Sequence, residues 1–149
     1  MSPLFKKLNL GSHAVIHVLN APKSFEPELA LLKGVTVKRS GAGPATFAMA
    51  FVITQDELDA ASSKLAAACD GDAILWMAYP KGTSKKYRCE FNRDAGWSIL
   101  GAAGFEPVRM VAVDEDWSAV RFRRVEHIKT LTRGREHRIS TAGKKRAPD

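Results

Sequence analysis

Hydrophobic positions along the chain fall into solid runs more than into stripes. His13–Leu19 (H-A-V-I-H-V-L), Thr46–Ile53 (T-F-A-M-A-F-V-I) and Ala73–Tyr79 (A-I-L-W-M-A-Y) are apolar at nearly every position. Short runs of that kind, bounded by turn residues, predict strands buried on both faces of a sheet. The first run stops at Asn20-Ala21-Pro22, and Val35–Lys38 is a shorter strand candidate ahead of the break Ser40-Gly41-Ala42-Gly43-Pro44. Between them Phe25, Leu29 and Leu32 fit one or two helical turns, with Ser24 as N-cap, Pro27 tolerated in the first turn and Gly34 as the stop.

The strongest helix signal follows Ile53. Thr54-Gln55-Asp56-Glu57 is a capping box, and Leu58, Ala61, Leu65, Ala68 and Cys69 recur at helical spacing until Asp70-Gly71-Asp72 ends the element. Further on, Asn92 is placed to cap a helix through Ala103, with Asp94 in its first turn, Trp97, Leu100 and Ala103 toward the sheet, and Gly104 as the terminator. Val108–Val113 predicts a strand, Asp114-Glu115-Asp116 a turn, and Trp117–Val125 an exposed antiparallel strand with Val120 and Phe122 two apart. Met1–Ser12 reads as a short lead-in. Strands alternating with helices predict a single α/β domain over residues 1–128: Rossmann-like, doubly wound, mostly parallel, with a C-terminal antiparallel hairpin.

Composition changes this picture at one end. Of the net charge of +7, the stretch Lys129–Asp149 holds seven basic and two acidic residues and so carries +5. It predicts a loosely attached basic tail, a candidate partner for nucleic acid through salt-sensitive phosphate contacts. The tail has no Phe, Tyr or Trp to stack on bases. Cys69 and Cys89 make no C-x-x-C pair, no apolar run is long enough to cross a bilayer, and no hydrophobic leader opens the chain. A reduced, cytoplasmic protein without membrane contact is expected; nothing in the sequence speaks to its oligomeric state.

Candidate chemistry gathers after the third long run. Lys81, Gly82, Thr83, Ser84 and Lys85, with Lys86, follow Pro80 at the expected carboxyl end of a strand, where open α/β sheets bind ligands. Ammonium groups, hydroxyls and loop amides suit a phosphate or carboxylate, although the frame of a P-loop is missing. Lys23, after the first strand, is positioned to join them. Trp117, Arg121 and Arg123 share a strand face and fit either a second wall for a flat anion or an internal cluster of cation–π contacts and salt bridges. Asn92 and Arg93 at a helix start fit an anion site or a plain cap. His13 and His17 share a strand face without a metal-ligand pattern, and Ser84, Ser98 and Ser118 lack the setting of a nucleophile. No catalytic constellation is legible and no cofactor is expected. The residues point to binding of a small anionic or nucleotide-like ligand, with a divergent enzyme or a nucleic-acid contact through the tail as alternatives.

The stretch Leu100-Gly101-Ala102-Ala103-Gly104-Phe105-Glu106-Pro107-Val108, preceded by the capping-box helix and its strand and loop, resembles the later part of class I methyltransferase-like Rossmann domains. Tyr79-Pro80-Lys81-Gly82-Thr83-Ser84-Lys85, with Asp116-Trp117-Ser118-Ala119 and Arg121-Phe122-Arg123, resembles a bacterial family known as a domain of unknown function, over most of residues 10–128. The first resemblance implies a Rossmann-like fold and a methyltransferase-like ancestry; the second implies no activity. Class I methyltransferases hold S-adenosylmethionine with a glycine-rich turn after the first strand and an acid after the second. Here those places read Asn20-Ala21-Pro22-Lys23 and Lys38-Arg39-Ser40.

Overall fold

Strands β1 (Val15–Leu19), β2 (Thr36–Lys38), β3 (Ala45–Phe51), β4 (Cys69–Pro80), β5 (Phe105–Ala112) and β6 (Trp117–Arg124) form one six-stranded sheet in the order β2-β1-β3-β4-β6-β5. The computed structural model describes residues 2–92, 95–128 and 139–140. Neighbours from β2 to β4 run parallel, while β6 is antiparallel to both β4 and β5. The chain passes from β1 outward to β2, then returns to lay β3 on the other side of β1. That reversal opens the crevice at the strand carboxyl ends where doubly wound folds bind ligands.

Alternation along the buried strands assigns each face its partners. Ala48, Ala50 and Val52 lie on one face with Leu75, Met77, Val120 and Phe122, and they meet Leu58, Ala61 and Leu65 of helix α3 (Gln55–Ala68) and Leu100 of helix α4 (Ser98–Ala102). The small alanines of β3 let α3 approach closely. Phe47, Met49, Phe51 and Trp76 point the other way, onto Phe5 of helix α1 (Pro3–Lys7), Leu8 and Leu10 after it, and Phe25 and Leu29 around helix α2 (Glu26–Ala30). Those helices are single turns, so bulky aromatics fill the space a longer helix would occupy. No helix among the described residues is long and apolar enough to cross a membrane.

Several elements depart from what the pattern predicts. The lead-in holds α1: Ser2 accepts from the Phe5 amide, Pro3 occupies the first turn, and Phe5, Leu8 and Leu10 are buried. Ser24 caps nothing, because Lys23–Phe25 is a 3-10 turn leading into α2. Asp70-Gly71-Asp72 does not end an element but lies within β4, where the chain bulges between the pairs Ala45–Cys69 and Phe47–Ile74 with Gly71 at φ +56°. The helix expected from Asn92 begins only at Ser98. Gly96 at φ +103° takes the backbone out of helical space, and the Trp97 indole donates to the Asn92 carbonyl at 2.8 Å. Finally, β6 is not an exposed strand: it lies between β4 and β5, and Trp117, Ala119, Val120 and Phe122 are buried.

The expected basic tail begins at Lys129, and most of it lies outside the described residues. Ile139 and Ser140 do not: the Glu106 carboxylate accepts from the Ile139 amide at 2.9 Å and from the Ser140 amide and hydroxyl at 2.6 and 2.8 Å. Glu106 and Ser140 are both buried, and Ile139 packs against the α3-side core.

Candidate functional site

The segment Lys81–Asn92 crosses the carboxyl edge of the sheet from one face to the other. On the α1 side Tyr87 stacks against Trp117, and Trp117 against Phe51, at centroid distances of 5.1 Å each. On the α3 side Phe91 packs against Tyr79 at 5.8 Å and Trp97 at 5.3 Å. Rings that bury apolar area at both ends hold the segment as a strap, so it is not a free loop.

Ser84 organises the first half of this strap. Its hydroxyl donates to Asp116 at 2.8 Å and accepts from the amides of Lys86 and Tyr87 at 3.2 and 3.1 Å. All the bonding capacity of that hydroxyl is used inside the protein. The Lys81 amide donates to the Asp116 carbonyl at 2.8 Å, and Asp114 accepts from the amides of Asp116 and Trp117, fixing the β5–β6 turn beside the strap.

Two cavities flank it. Thr83, Lys85 and Lys86 line an open groove together with Glu115 and Asp116, whose carboxylates offset the lysines. Beneath the strap lies a more enclosed cavity of about 270 Å3, lined by Tyr79, Lys81, Ser84, Tyr87, Arg88 and Asn92 among others. Among the described residues no acidic side chain lines it. Lys81 and Arg88 form no salt bridge among the described residues. Cys89 also lines it, and burial raises its thiol above the ordinary range.

The neighbouring helix N-terminus, a ready anion site in such folds, is filled by the protein itself. Glu57 accepts from the Ile53 and Thr54 amides, Thr54 from the Glu57 amide, and Glu90 of the strap from the Gln55 amide at 2.9 Å. Lys23, at the other strand end, has no described contact with this cavity.

The residues predicted to form the site are thus partly assembled. Lys81 and Ser84 line the enclosed cavity with Gly82, while Thr83 and Lys85 face the groove. Trp117 stands at the carboxyl end of β4, opposite Pro80, but is buried in the aromatic row. Arg121 and Arg123 lie farther along β6, about 13 and 20 Å from Trp117 at strand rise. Arg123 is held by Asp72 in a two-pronged pair at 2.8 and 2.6 Å. Arg93 and Asp94 lie outside the described residues, and so does the tail except Ile139 and Ser140. Arg88, which sequence reading passed over, stands three residues beyond Lys85. Following the lysine-rich motif to the next cation would have reached it.

The Arg123 hydrogen bonds hold the Asp72 carboxyl below its ordinary value of 3.8. A lowered carboxylate stabilises the fold above its unfolded pKa and loses that contribution as pH falls through the folded value. Stability should therefore decline below about pH 4 in the wild type, and the Asp72→Asn variant should show a shallower decline in acid urea titrations. Exposure of both partners keeps the effect below about 1 kcal/mol.

The sheet of order β2-β1-β3-β4-β6-β5, with its closing hairpin, is a Rossmann-like α/β fold. Solved structures with that fold are similar to this chain. Magnesium protoporphyrin IX methyltransferase (ChlM) from Synechocystis PCC 6803, with bound SAM, is 16% identical with a TM-score of 0.50, over 81% of this chain and 74% of that one. The N-methyltransferase NodS from Bradyrhizobium japonicum WM9, in complex with S-adenosyl-L-homocysteine, is 11% identical with a TM-score of 0.51, over 83% of this chain and 89% of that one. At such identities the likeness is one of fold. The sequence matches no protein-family model and no curated protein.

Proposed function

We propose that this methyltransferase-like domain binds a small anionic or nucleotide-like ligand in the cavity beneath the Lys81–Asn92 strap. The observation that carries the reading is the enclosed space of about 270 Å3 at the carboxyl end of β4, with Lys81 and Arg88 in its wall and no carboxylate among the described lining residues. Two cations in a partly enclosed wall, without a salt-bridge partner among the described residues, attract an anion more strongly than the same charges on open surface. The volume falls just below the range of small-molecule sites, roughly 300–1,000 Å3, which favours a compact ligand or one end of a larger one. In the open groove Glu115 and Asp116 offset the lysines, which makes Thr83 and Lys85 secondary contacts.

A second reading, a divergent methyltransferase, draws support from the fold likeness alone. The residues at the cofactor positions fit S-adenosylmethionine poorly. Asn20 takes a left-handed backbone, φ +60°, as a glycine would there, but Pro22 follows two residues later. Glu26 reaches the end of β2, and both its oxygens are taken by Arg39 at 2.7 Å.

Titration calorimetry with small carboxylates, nucleotides, S-adenosylmethionine and S-adenosylhomocysteine separates the readings. Binding of a carboxylate or nucleotide should weaken about tenfold or more when Lys81→Ala and Arg88→Ala are combined, the loss expected for removing charged hydrogen-bond donors. Unchanged affinity in that variant rejects the cavity reading. Saturable heat with either S-adenosyl compound favours the enzyme instead.

A further inference from the structure

The hairpin of β5 and β6 carries a second cationic feature, away from the strap. Residues directly opposite one another in an antiparallel pair project from the same face. Arg121 stands opposite Arg109 on β5 and opposite Trp76 on β4, so the three form a row across the sheet on the side covered by α1.

Arg109 holds that place because of a β-bulge. Pro107 pairs with Phe122, yet the next partner, Arg121, faces Arg109, leaving Val108 as an extra residue. Without the bulge, Val108 would oppose Arg121 and Arg109 would point to the other face. The bulge leaves Val108 40% exposed and sets two like charges against each other, which destabilises strand pairing.

Among the described residues no carboxylate forms a salt bridge with either arginine, and Asp72, which already serves Arg123, is the acid whose charge still reaches Arg121. Arg123 is engaged with Asp72, and Glu106, opposite Arg123, is engaged with Ile139 and Ser140. Arg109 reaches only the amide oxygen of Asn9, at 3.4 Å. The Arg121 Nε is buried without a hydrogen-bond partner. Burial, and then the Arg123 charge, push the Arg121 guanidinium below its ordinary value; the Asp72 charge opposes this and the Arg109 charge adds to it. An oxyanion accepting from the outer guanidinium nitrogens of both arginines would cancel the repulsion between them.

We propose that Arg109 and Arg121, with Asn9 at the rim, form a phosphate-binding site on the α1 side of the hairpin, separate from the strap cavity. Two facing guanidiniums, beside an Arg123 charge already matched by Asp72, suit a dianion better than a single carboxylate.

The full chain carrying Lys81→Ala and Arg88→Ala, which removes the cations of the other cavity, is titrated with inorganic phosphate, ribose 5-phosphate and a short single-stranded oligonucleotide at fixed ionic strength. Phosphate should bind, raise the melting temperature, and lose affinity about tenfold or more on adding Arg109→Gln or Arg121→Gln. In phosphate-free buffer Arg109→Gln should melt no lower than its parent, because one of two facing charges is gone. Should Arg121→Gln fail to fold, the exposed Arg109→Gln decides. Tighter binding of ribose 5-phosphate marks a small phosphomonoester as the natural source, and tighter oligonucleotide binding that phosphate competes away marks a polymer backbone. Absence of binding at millimolar phosphate, or affinity unmoved by Arg109→Gln, overturns the site.

Discussion

Gly101→Ala should destabilise the protein by about 2–4 kcal/mol, with the sign opposite to what a helix ordinarily gives. In a helix interior alanine is worth up to about 1 kcal/mol over glycine. At Gly101, however, a methyl would run into the Ile139 carbonyl oxygen and lie 2.7 Å from its carbon. Neither is the end of a flexible side chain, so the backbone at Ile139 must move. Moving it breaks the three bonds that Ile139 and Ser140 make to Glu106, leaving a buried carboxylate without donors. Urea unfolding measures the loss, and hydrogen exchange at the Ser140 amide locates it. A variant as stable as the wild type, with that amide still protected, would show that residues 139–140 are not held as described.

Trp76→Ala should cost about 3–5 kcal/mol, a large share of the 5–15 kcal/mol that domains of this kind possess. Trp76 is fully buried in the middle of β4, and its indole donates to the Leu8 carbonyl at 2.8 Å. It therefore fills the α1-side core and tethers the segment that carries Phe5, Leu8 and Leu10. Trp76→Phe separates these roles: most of the volume stays and the tether goes. It should cost about 1–2 kcal/mol and speed tryptic cleavage after Lys6 and Lys7. Cleavage at the wild-type rate would mean that Phe5 and Leu8 hold α1 without the indole.

The sequence carried the fold further than it carried the site. Long apolar runs at His13–Leu19, Thr46–Ile53 and Ala73–Tyr79 become β1, β3 and β4, and the Thr54–Glu57 capping box opens α3 with both reciprocal bonds made. These features are local, and the tertiary structure agrees with them. Failures came where an unforeseen contact or backbone turn overrode the pattern. Asn92 looked like a cap, but its carbonyl serves the Trp97 indole and Gly96 breaks the helix. The alternation at Trp117–Arg124 suggested a half-exposed strand, yet β5 folds outside it and buries the second face.

At the candidate site, Lys81 and Ser84 were legible as a polar motif after a buried run. That Ser84 acts as an internal hub, and that Arg88 turns back into the cavity, depends on the aromatic contacts of Tyr87 and Phe91 with opposite faces of the sheet. Nor does any pattern in β5 reveal that Val108 is an extra residue, and with it the face on which Arg109 stands.

The strand order also sets a timetable for synthesis. β6 is the last strand of the sheet to be made, yet it lies between β4 and β5. As the chain leaves the ribosome, β5 emerges with no strand to pair with, and the edge of β4 stays open until Arg124 is out. Arg124 then fastens the assembly, donating to the Ala66, Cys69 and Gly71 carbonyls and lying 4.6 Å over the Phe105 ring. Nascent chains stalled before that point should present two unpaired strands to chaperones, so the rate of translation through residues 105–124 bears directly on yield.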